Sequence, residues 1–500
     1  MPADELLLGI DIGTSSVKAC LFRADGALLG AGRAPYPVDR PHPGWAQVDP
    51  DVWWNAFCEA LSASASDADV PLSRVRGVGL SMLFPALIPL DERGAALAPG
   101  ILYCDQRSTE QVARLRASGA AQILERKSSN RLVPGTFALS SLLWLRDNDR
   151  TVYEKAAWFG TVTTLFCMRL TGTACIDYVS GLLFGLCDAS DQTGWSEELV
   201  TLAEVDAARL PQLAAPSAAI GAVTREAAAA TGLPPGIPVA AGAGDVAAAC
   251  FGGGCLEPGT LLHTTGSSDC LSFVTGAPQT SRLFANTGYI EATRWLSVAT
   301  ATSTGTAVDW FSREFLGAAS GAAVAEEAAK STIGAGGITF LPYLQGERTP
   351  IWNPAAKGVF SGLCVASSRA DLARAVLEGT AFAVRQLVQT AEEHGGVTIP
   401  SLPATGGGTK NELWNHIKAD VTGKTLFIFE FQEFAALGAA MLGGTAAGVY
   451  GSVAEAVTAT AQLRGGRPVG PDSDAHAAYE PHYRRYEALY PALRQSMEDK

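Results

Sequence analysis

The chain lacks any run of Lys and Arg: 37 basic residues face 50 acidic ones, for a formal net charge of -13. Nucleic-acid binding needs clustered cations that neutralise phosphates, so that class of partner is excluded. Paired cysteine motifs are missing too. The ten cysteines are scattered. Cys250 and Cys255, the nearest two, have no second pair at ligand spacing, which reads as reduced, buried thiols rather than zinc ligands. The longest uncharged span, Phe434 to Ala454, is Ala- and Gly-rich and is broken by Gly443-Gly444. It reads as a pair of buried helices, not as a membrane span. No basic leader or cleavage site marks the opening MPADELLLGIDIG, so a cytoplasmic location is expected.

What is present is core-forming material cut by turns: 47% hydrophobic and 17% charged residues, with 53 Gly and 27 Pro in 500 residues. One hydrophobic core stops growing near roughly 250–300 residues, so two domains are expected. The Pro- and Gly-rich LPPGIPVAAGAGD places the preferred boundary between residues 1–243 and 244–500. Apolar runs at 6–12 and 16–22 flank a Gly-Thr-Ser-Ser turn and predict an opening meander of strands. Asp49-Pro50 signals the start of a helix through VWWNAFCEAL. VRGVGLSMLFPALIPLDERG predicts two further strands with polar punctuation at Asp91 to Gly94. Strand, polar glycine turn and strand recur near residue 266, although no internal repeat is exact.

Several turns have chemistry of their own. In GIDIGTSSVK an acid, Asp11, closes a strand, and Gly13, Thr14, Ser15 and Ser16 present amides and hydroxyls suited to phosphate oxygens; Asp11 could hold a metal ion. TTGSS at 264–268 repeats the small, donor-rich loop, so a phosphate between the two loops is implied. GAGD ends on Asp245, which can accept a proton from a substrate hydroxyl, cap the following helix, or do both. ATGGGTKNELW opens a helical stretch with three glycines that permit close approach of a base or ribose.

In this order the motifs resemble those of the FGGY carbohydrate kinases over nearly the whole length. GVFSGLCVASSRADLARAVLE at 358–378 satisfies the family's second signature, after LPYLQGERTPIWNPAAK, which is similar to xylulokinase-like members. GWAQVDPDVWW, LDERGAALAPGILYCDQR, LTG at 170–172, GGGTKN and the closing YEPHYRRYEALYPAL follow the family's order. The resemblance implies an α/β chain of two ribonuclease-H-like domains of the actin-like ATPase type, with an active-site cleft between them.

It also implies ATP and Mg²⁺, with Asp245 as general base and Asp11 helping to position the metal. Thr14, Ser15, Lys18, Gly266, Ser267 and Gly305 would then lie by the phosphates, and Gly407 and Asn411 by the adenosine. The sugar side would hold Phe84, Pro85, Asp105 and Arg107 beside Asp245, the last two as a brace or a structural salt bridge. Met82, Leu83, Phe84 and Pro85 depart from the family's polar residues, and Ser141 replaces the lysine of the first signature, whose Trp144, Leu145, Asp147 and Asn148 remain. The implied partners are a small sugar or polyol and ATP, without nucleic acid or membrane, and with a homodimer left open. A ketose such as a pentulose is the expected acceptor. The alternatives are a nucleotide-dependent sugar sensor and an actin- or chaperone-like ATPase.

Overall fold

In the computed structural model, residues 5–318 and 320–498 are described. The chain opens as expected, with β1 (Leu6–Ile12), β2 (Ser16–Arg23) and β3 (Leu28–Pro35) pairing as an antiparallel meander. Helix α1 (Pro50–Ala68) begins where Pro50 presets the first turn and the Asp49 side chain accepts from the Asp51 N–H. It lies on β2 and β3, burying Trp53, Phe57 and Leu61. The other strands of this first sheet are β4 (Val75–Met82), β5 (Ala219–Ala222), β6 (Pro238–Ala240) and the short β7 (Ala243–Gly244). The first sheet has the order β5-β6-β4-β1-β2-β3, with β4 parallel to β1 and β7 parallel to β4.

Helix α2 (Asp245–Gly252) leads from this sheet towards β8 (Leu261–Thr265), followed by β9 (Asp269–Thr275), β10 (Ala285–Gly288), β11 (Trp295–Ala301) and helix α3 (Thr304–Leu316). After the long helix α4 (Arg369–His394) come β12 (Ser401–Thr405), α5 (Glu412–Thr422), β13 (Thr425–Phe429), α6 (Phe434–Ala446) and β14 (Gly466–Val469). The second sheet has the order β10-β11-β9-β8-β12-β13-β14. In it β8, β9 and β11 are successively antiparallel and β12 is parallel to β8, as β4 is to β1. The two sheets thus share one core topology, which the sequence showed only as two similar turns.

Helices α2 and α6 lie where the chain passes between the sheets. The backbone of α6 presses so closely on the first sheet that a Cβ on Gly79 would stand 1.7 Å from the carbonyl oxygen of Ala439. A Cβ on Gly438 would meet the Ala248 carbonyl of α2 at 1.9 Å. Only glycine permits such approach of backbone to backbone. The uncharged span from Phe434 is therefore buried between layers as one helix, α6, which runs through Gly443-Gly444 instead of breaking there into the expected pair; the following short helix, Val453–Ala459, buries only Val453 and Ala456. Among the described residues no helix is long and apolar enough to cross a membrane.

Candidate active site

The first part of the site is built at the ends of β1, β2 and β4. Antiparallel pairing sets Lys18 directly opposite Asp11, and parallel pairing sets Ser81 beside Asp11 on the other side. The Ser81 hydroxyl donates to Asp11 Oδ1 at 2.8 Å. Burial raises the Asp11 carboxyl above the ordinary range, against the Ser81 hydrogen bond and the Lys18 charge. Lys18 Nζ meets Glu433 Oε2 at 2.5 Å.

The β1–β2 turn is held from below and exposed above. The Gly13 N–H donates to the Ser16 carbonyl at 3.1 Å, and the Tyr36 hydroxyl donates to the Gly13 carbonyl. The Tyr36 N–H donates to the Ser15 carbonyl at 3.0 Å. Thr14 and Ser15 are exposed, with the Thr14 hydroxyl 3.3 Å from that of Tyr103.

Asp245 is brought to this turn by β7, in which Ala243 pairs with Ser81 and Gly244 with Met82. It is the first residue of α2, but the cap is Gly244, so the side chain does not cap the helix in the expected way; Asp245 Oδ1 accepts from the next N–H, that of Val246, at 2.8 Å. Burial, then the nearby Asp11 carboxylate, pushes its carboxyl up to about 7. A carboxylate so placed is poised to take a proton near neutral pH.

Phe84 and Pro85 lie just past the end of β4. Their peptide is cis, and the Phe84 ring lies on Gly244, where a Cβ would be 2.1 Å from ring carbon Cε1. The Leu83 N–H donates to the Ile12 carbonyl at 2.8 Å, tying this apolar segment to β1. Asp105 and Arg107 form a buried salt bridge of 2.9 Å. Asp105 also accepts from the Ala46 N–H, and Arg107 donates to Gln47 at 2.8 Å. The guanidinium carbon sits 3.7 Å from the Trp45 ring centroid and 5.0 Å from that of Trp144. Three separate sequence landmarks converge here, and the pair's main hydrogen bonds are internal, as in a brace.

The second part is the β8–β9 turn. Gly266 and Ser267 are exposed at its tip, and the Gly266 N–H donates to the Ser268 carbonyl at 2.9 Å. Gly305, in the first turn of α3, packs on it: a Cβ there would stand 1.9 Å from the Gly266 carbonyl oxygen. The Thr306 N–H and hydroxyl both donate to the Ser267 carbonyl, at 3.0 and 3.1 Å. Behind the turn, Lys418 Nζ reaches Thr265 Oγ1 at 2.9 Å and Asp269 at 2.9 Å, while His263 Nε2 lies 2.6 Å from Asp269. Burial alone would raise the Asp269 carboxyl, but Lys418 and His263 hold it well below its usual range.

Gly406 lies over the same turn, where a Cβ would be 2.2 Å from the Thr265 carbonyl oxygen. Gly407 follows with nothing within 4 Å of its Cβ position, so this side is open. Asn411 is spoken for differently: its side chain caps α5 by accepting from the Trp414 N–H at 3.1 Å. Glu347 is a further buried acid, pushed up to about 7 by burial, and its Oε1 accepts from the Thr302 and Arg348 N–H groups at 2.7 Å each. It thereby braces the entry to α3.

Sequence reasoning did not single out Ser81, Tyr36, Tyr103, Glu347, Lys418, Gln432 or Glu433. Glu347, Ser81 and Tyr103 lie inside quoted segments and Lys418 just after one, but no residue pattern there marks their side chains, and nothing local marks Tyr36.

Residues 6–252 match the N-terminal domain, and 261–447 the C-terminal domain, of the FGGY family of carbohydrate kinases. The chain belongs to that family. It is a carbohydrate kinase, a phosphotransferase with an alcohol group as acceptor. It is 31% identical over 464 residues to a glycerol kinase of Citrifermentans bemidjiense, covering 89% of this chain and 91% of that one. It is 29% identical over 492 residues to the xylulose kinase of Escherichia coli K12, covering 98% and 99%. The structure of a xyloylose kinase from Brucella ovis superposes with a TM-score of 0.89 at 32% identity, covering 98% of this chain and all of that one. The fold of this FGGY kinase is therefore the expected pair of ribonuclease-H-like domains of the actin-like ATPase type.

Proposed function

We propose that this FGGY kinase transfers the γ-phosphate of ATP to a hydroxyl of a small ketose or related polyol, with a pentulose as the leading acceptor class. The observation that carries the reading is Asp245, a recessed carboxylate raised to about 7, set at a helix start beside Asp11 and the β1–β2 turn. Xylulose kinase and glycerol kinase relatives at similar identity support a polyhydroxylated acceptor and leave its length open.

In this reading Asp245 accepts the acceptor's hydroxyl proton as the oxygen attacks phosphorus. The Gly13 and Gly266 N–H groups are bonded within their own turns, so the exposed residues that follow them, Thr14, Ser15 and Ser267, receive the phosphate oxygens, and Lys18 adds a cation. Gly305 keeps the second turn close to α3, and Gly407 leaves room for the adenosine, near the Asn411-capped start of α5. Residues 1–243 form the sugar side and 244–500 the ATP side, and closure between them excludes water.

Asp11 fits a magnesium ion: it commits Oδ1 to Ser81, and Mg²⁺ is commonly held by one or two carboxylates together with substrate phosphates. When bound there, the ion would neutralise charge between the phosphates.

Phe84 and Pro85 make an apolar wall beside Asp245, and Asp105–Arg107 with Trp45 and Trp144 hold the opposite loops as a brace. ADP release with Mg²⁺-ATP, measured across pentuloses, hexuloses, tetruloses, aldoses and polyols, tests the reading. Activity on one acceptor that is lost in Asp245→Asn supports it. Undiminished turnover in that variant overturns the assignment of the base.

A further inference from the structure

Residues 430–433 carry the chain from β13 of the second sheet into α6, which lies against β1 and β4 of the first. Two consecutive side chains on this crossing make contacts with different parts of the site. Gln432 Oε1 accepts from the Gly406 N–H at 2.8 Å and from the Thr405 hydroxyl at 3.2 Å. Its Nε2 donates to the Phe429 carbonyl at 2.9 Å, which fixes the orientation of the amide. Glu433, immediately before α6, takes the Lys18 ammonium at 2.5 Å. One dipeptide therefore grips both the glycine turn of the second domain and the lysine opposite Asp11 in the first.

The backbone that carries these grips is itself immobilised. A Cβ on Gly9 of β1 would stand 1.9 Å from the carbonyl oxygen of Ala436, in the first turn of α6. The Glu433 carboxylate thus starts from a fixed point on the first sheet. Lysine is a point charge on a flexible stem and acquires a fixed direction only from a partner. The pair is partly sheltered, with side-chain exposures of 29% for Lys18 and 30% for Glu433, so water weakens it less than it would a fully exposed pair. Gly406, at φ 103°, depends on bonds such as the one from Gln432 to aim its N–H.

We propose that Gln432 and Glu433 are positioning residues that set the distance and orientation between the two ends of the nucleotide site. Glu433 acts through Lys18 on the phosphates, and Gln432 acts through Gly406 on the nucleoside. The inference rests on the nucleotide lying between Lys18 and the Gly406–Gly407 turn, as in the function proposed above. Neither residue contacts the reacting atoms.

Calorimetric titration with ADP and with adenosine, in EDTA, reads this independently of any sugar. Glu433→Gln is expected to weaken ADP about tenfold and to leave adenosine unchanged, since a misdirected lysine costs phosphate contacts alone. Lys18→Met should do the same, and the double variant should be no worse than either single, because both remove one contact. Gln432→Ala should weaken ADP and adenosine alike. Unchanged or tighter ADP binding in Glu433→Gln, or additive losses in the double variant, overturns the proposal. If Glu433→Gln melts early, Lys18→Met and Gln432→Ala carry the two arms: equal losses for ADP and adenosine in Lys18→Met overturn it. Should the wild type bind ADP with this pattern yet phosphorylate no acceptor, the coupling stands and the kinase substrate reading falls.

Discussion

The carbonyl oxygen of Gly266 occupies the space where residue 305 would carry a side chain, 1.9 Å from the Cβ position. Two segments separated by a whole hairpin and strand are thus packed backbone to backbone, with the tip of a donor-rich turn on the first turn of a helix. Gly305→Ala must push that tip away. Nucleotide affinity is expected to fall by about tenfold or more, because the turn proposed to receive the phosphates moves with the carbonyl. Titration with ADP checks it, with circular dichroism showing that the fold is kept.

Asp245 should govern the pH profile. Its carboxyl, raised to about 7 by burial and by Asp11, is protonated below that value and cannot take a proton. The acceptor's kcat/KM is expected to rise about tenfold per pH unit below 7 and to level off above it. Glu347, also pushed up to about 7, titrates in the same window, so Glu347→Gln should retain the rise if Asp245 is its source.

The same shift has a stability consequence of opposite sign. A carboxyl whose folded value lies above its unfolded one keeps a proton that the unfolded chain releases, so stability falls as pH rises from about 4 to 7. The loss is complete above the folded value. Asp245→Asn removes it, and its melting temperature should exceed that of the wild type at pH 8 by more than at pH 5. Thermal melting at the two pH values decides.

Asp269 stands between Lys418 at 2.9 Å and His263 at 2.6 Å with all three side chains buried. Asp269→Asn leaves the ammonium without its counter-charge, and a loss of about 3–5 kcal/mol is expected in urea unfolding. Adding Lys418→Met should recover part of it, since an uncharged side chain needs no partner there.

Phe84 tests the acceptor side. Its ring covers Gly244, next to Asp245, and offers no hydrogen bond. Phe84→Ala is expected to change the order of kcat/KM among ketoses and polyols by roughly tenfold, with KM for ATP held within about twofold. An unchanged order would remove Phe84 from the substrate wall.

Much of the architecture could be read from local chemistry. The strands around Gly13, the helix at Pro50 and the buried reading of the span from Phe434 all appear in the structure, because alternation, caps and turn residues act within a few positions of themselves. Asp245 shows the limit of such reasoning. GAGD announced an acid at a helix start, but not that Gly244 is the cap, nor that Asp11 lies close enough to raise the carboxyl. Asp105 and Arg107 read from the sequence as a brace or salt bridge, and the structure adds Trp45 and Trp144 beside the guanidinium.

By itself, then, the sequence determined the family, the two-part α/β plan and the small, donor-rich turns, since these depend on residue types at short spacing. Tertiary structure alone decided that Lys18 meets Glu433, that Gly305 receives Gly266, and that Phe84 lies on Gly244. These pairings join residues far apart in the chain. They exist because each sheet fixes which strand ends are neighbours and because α2 and α6 pack backbone to backbone between the sheets.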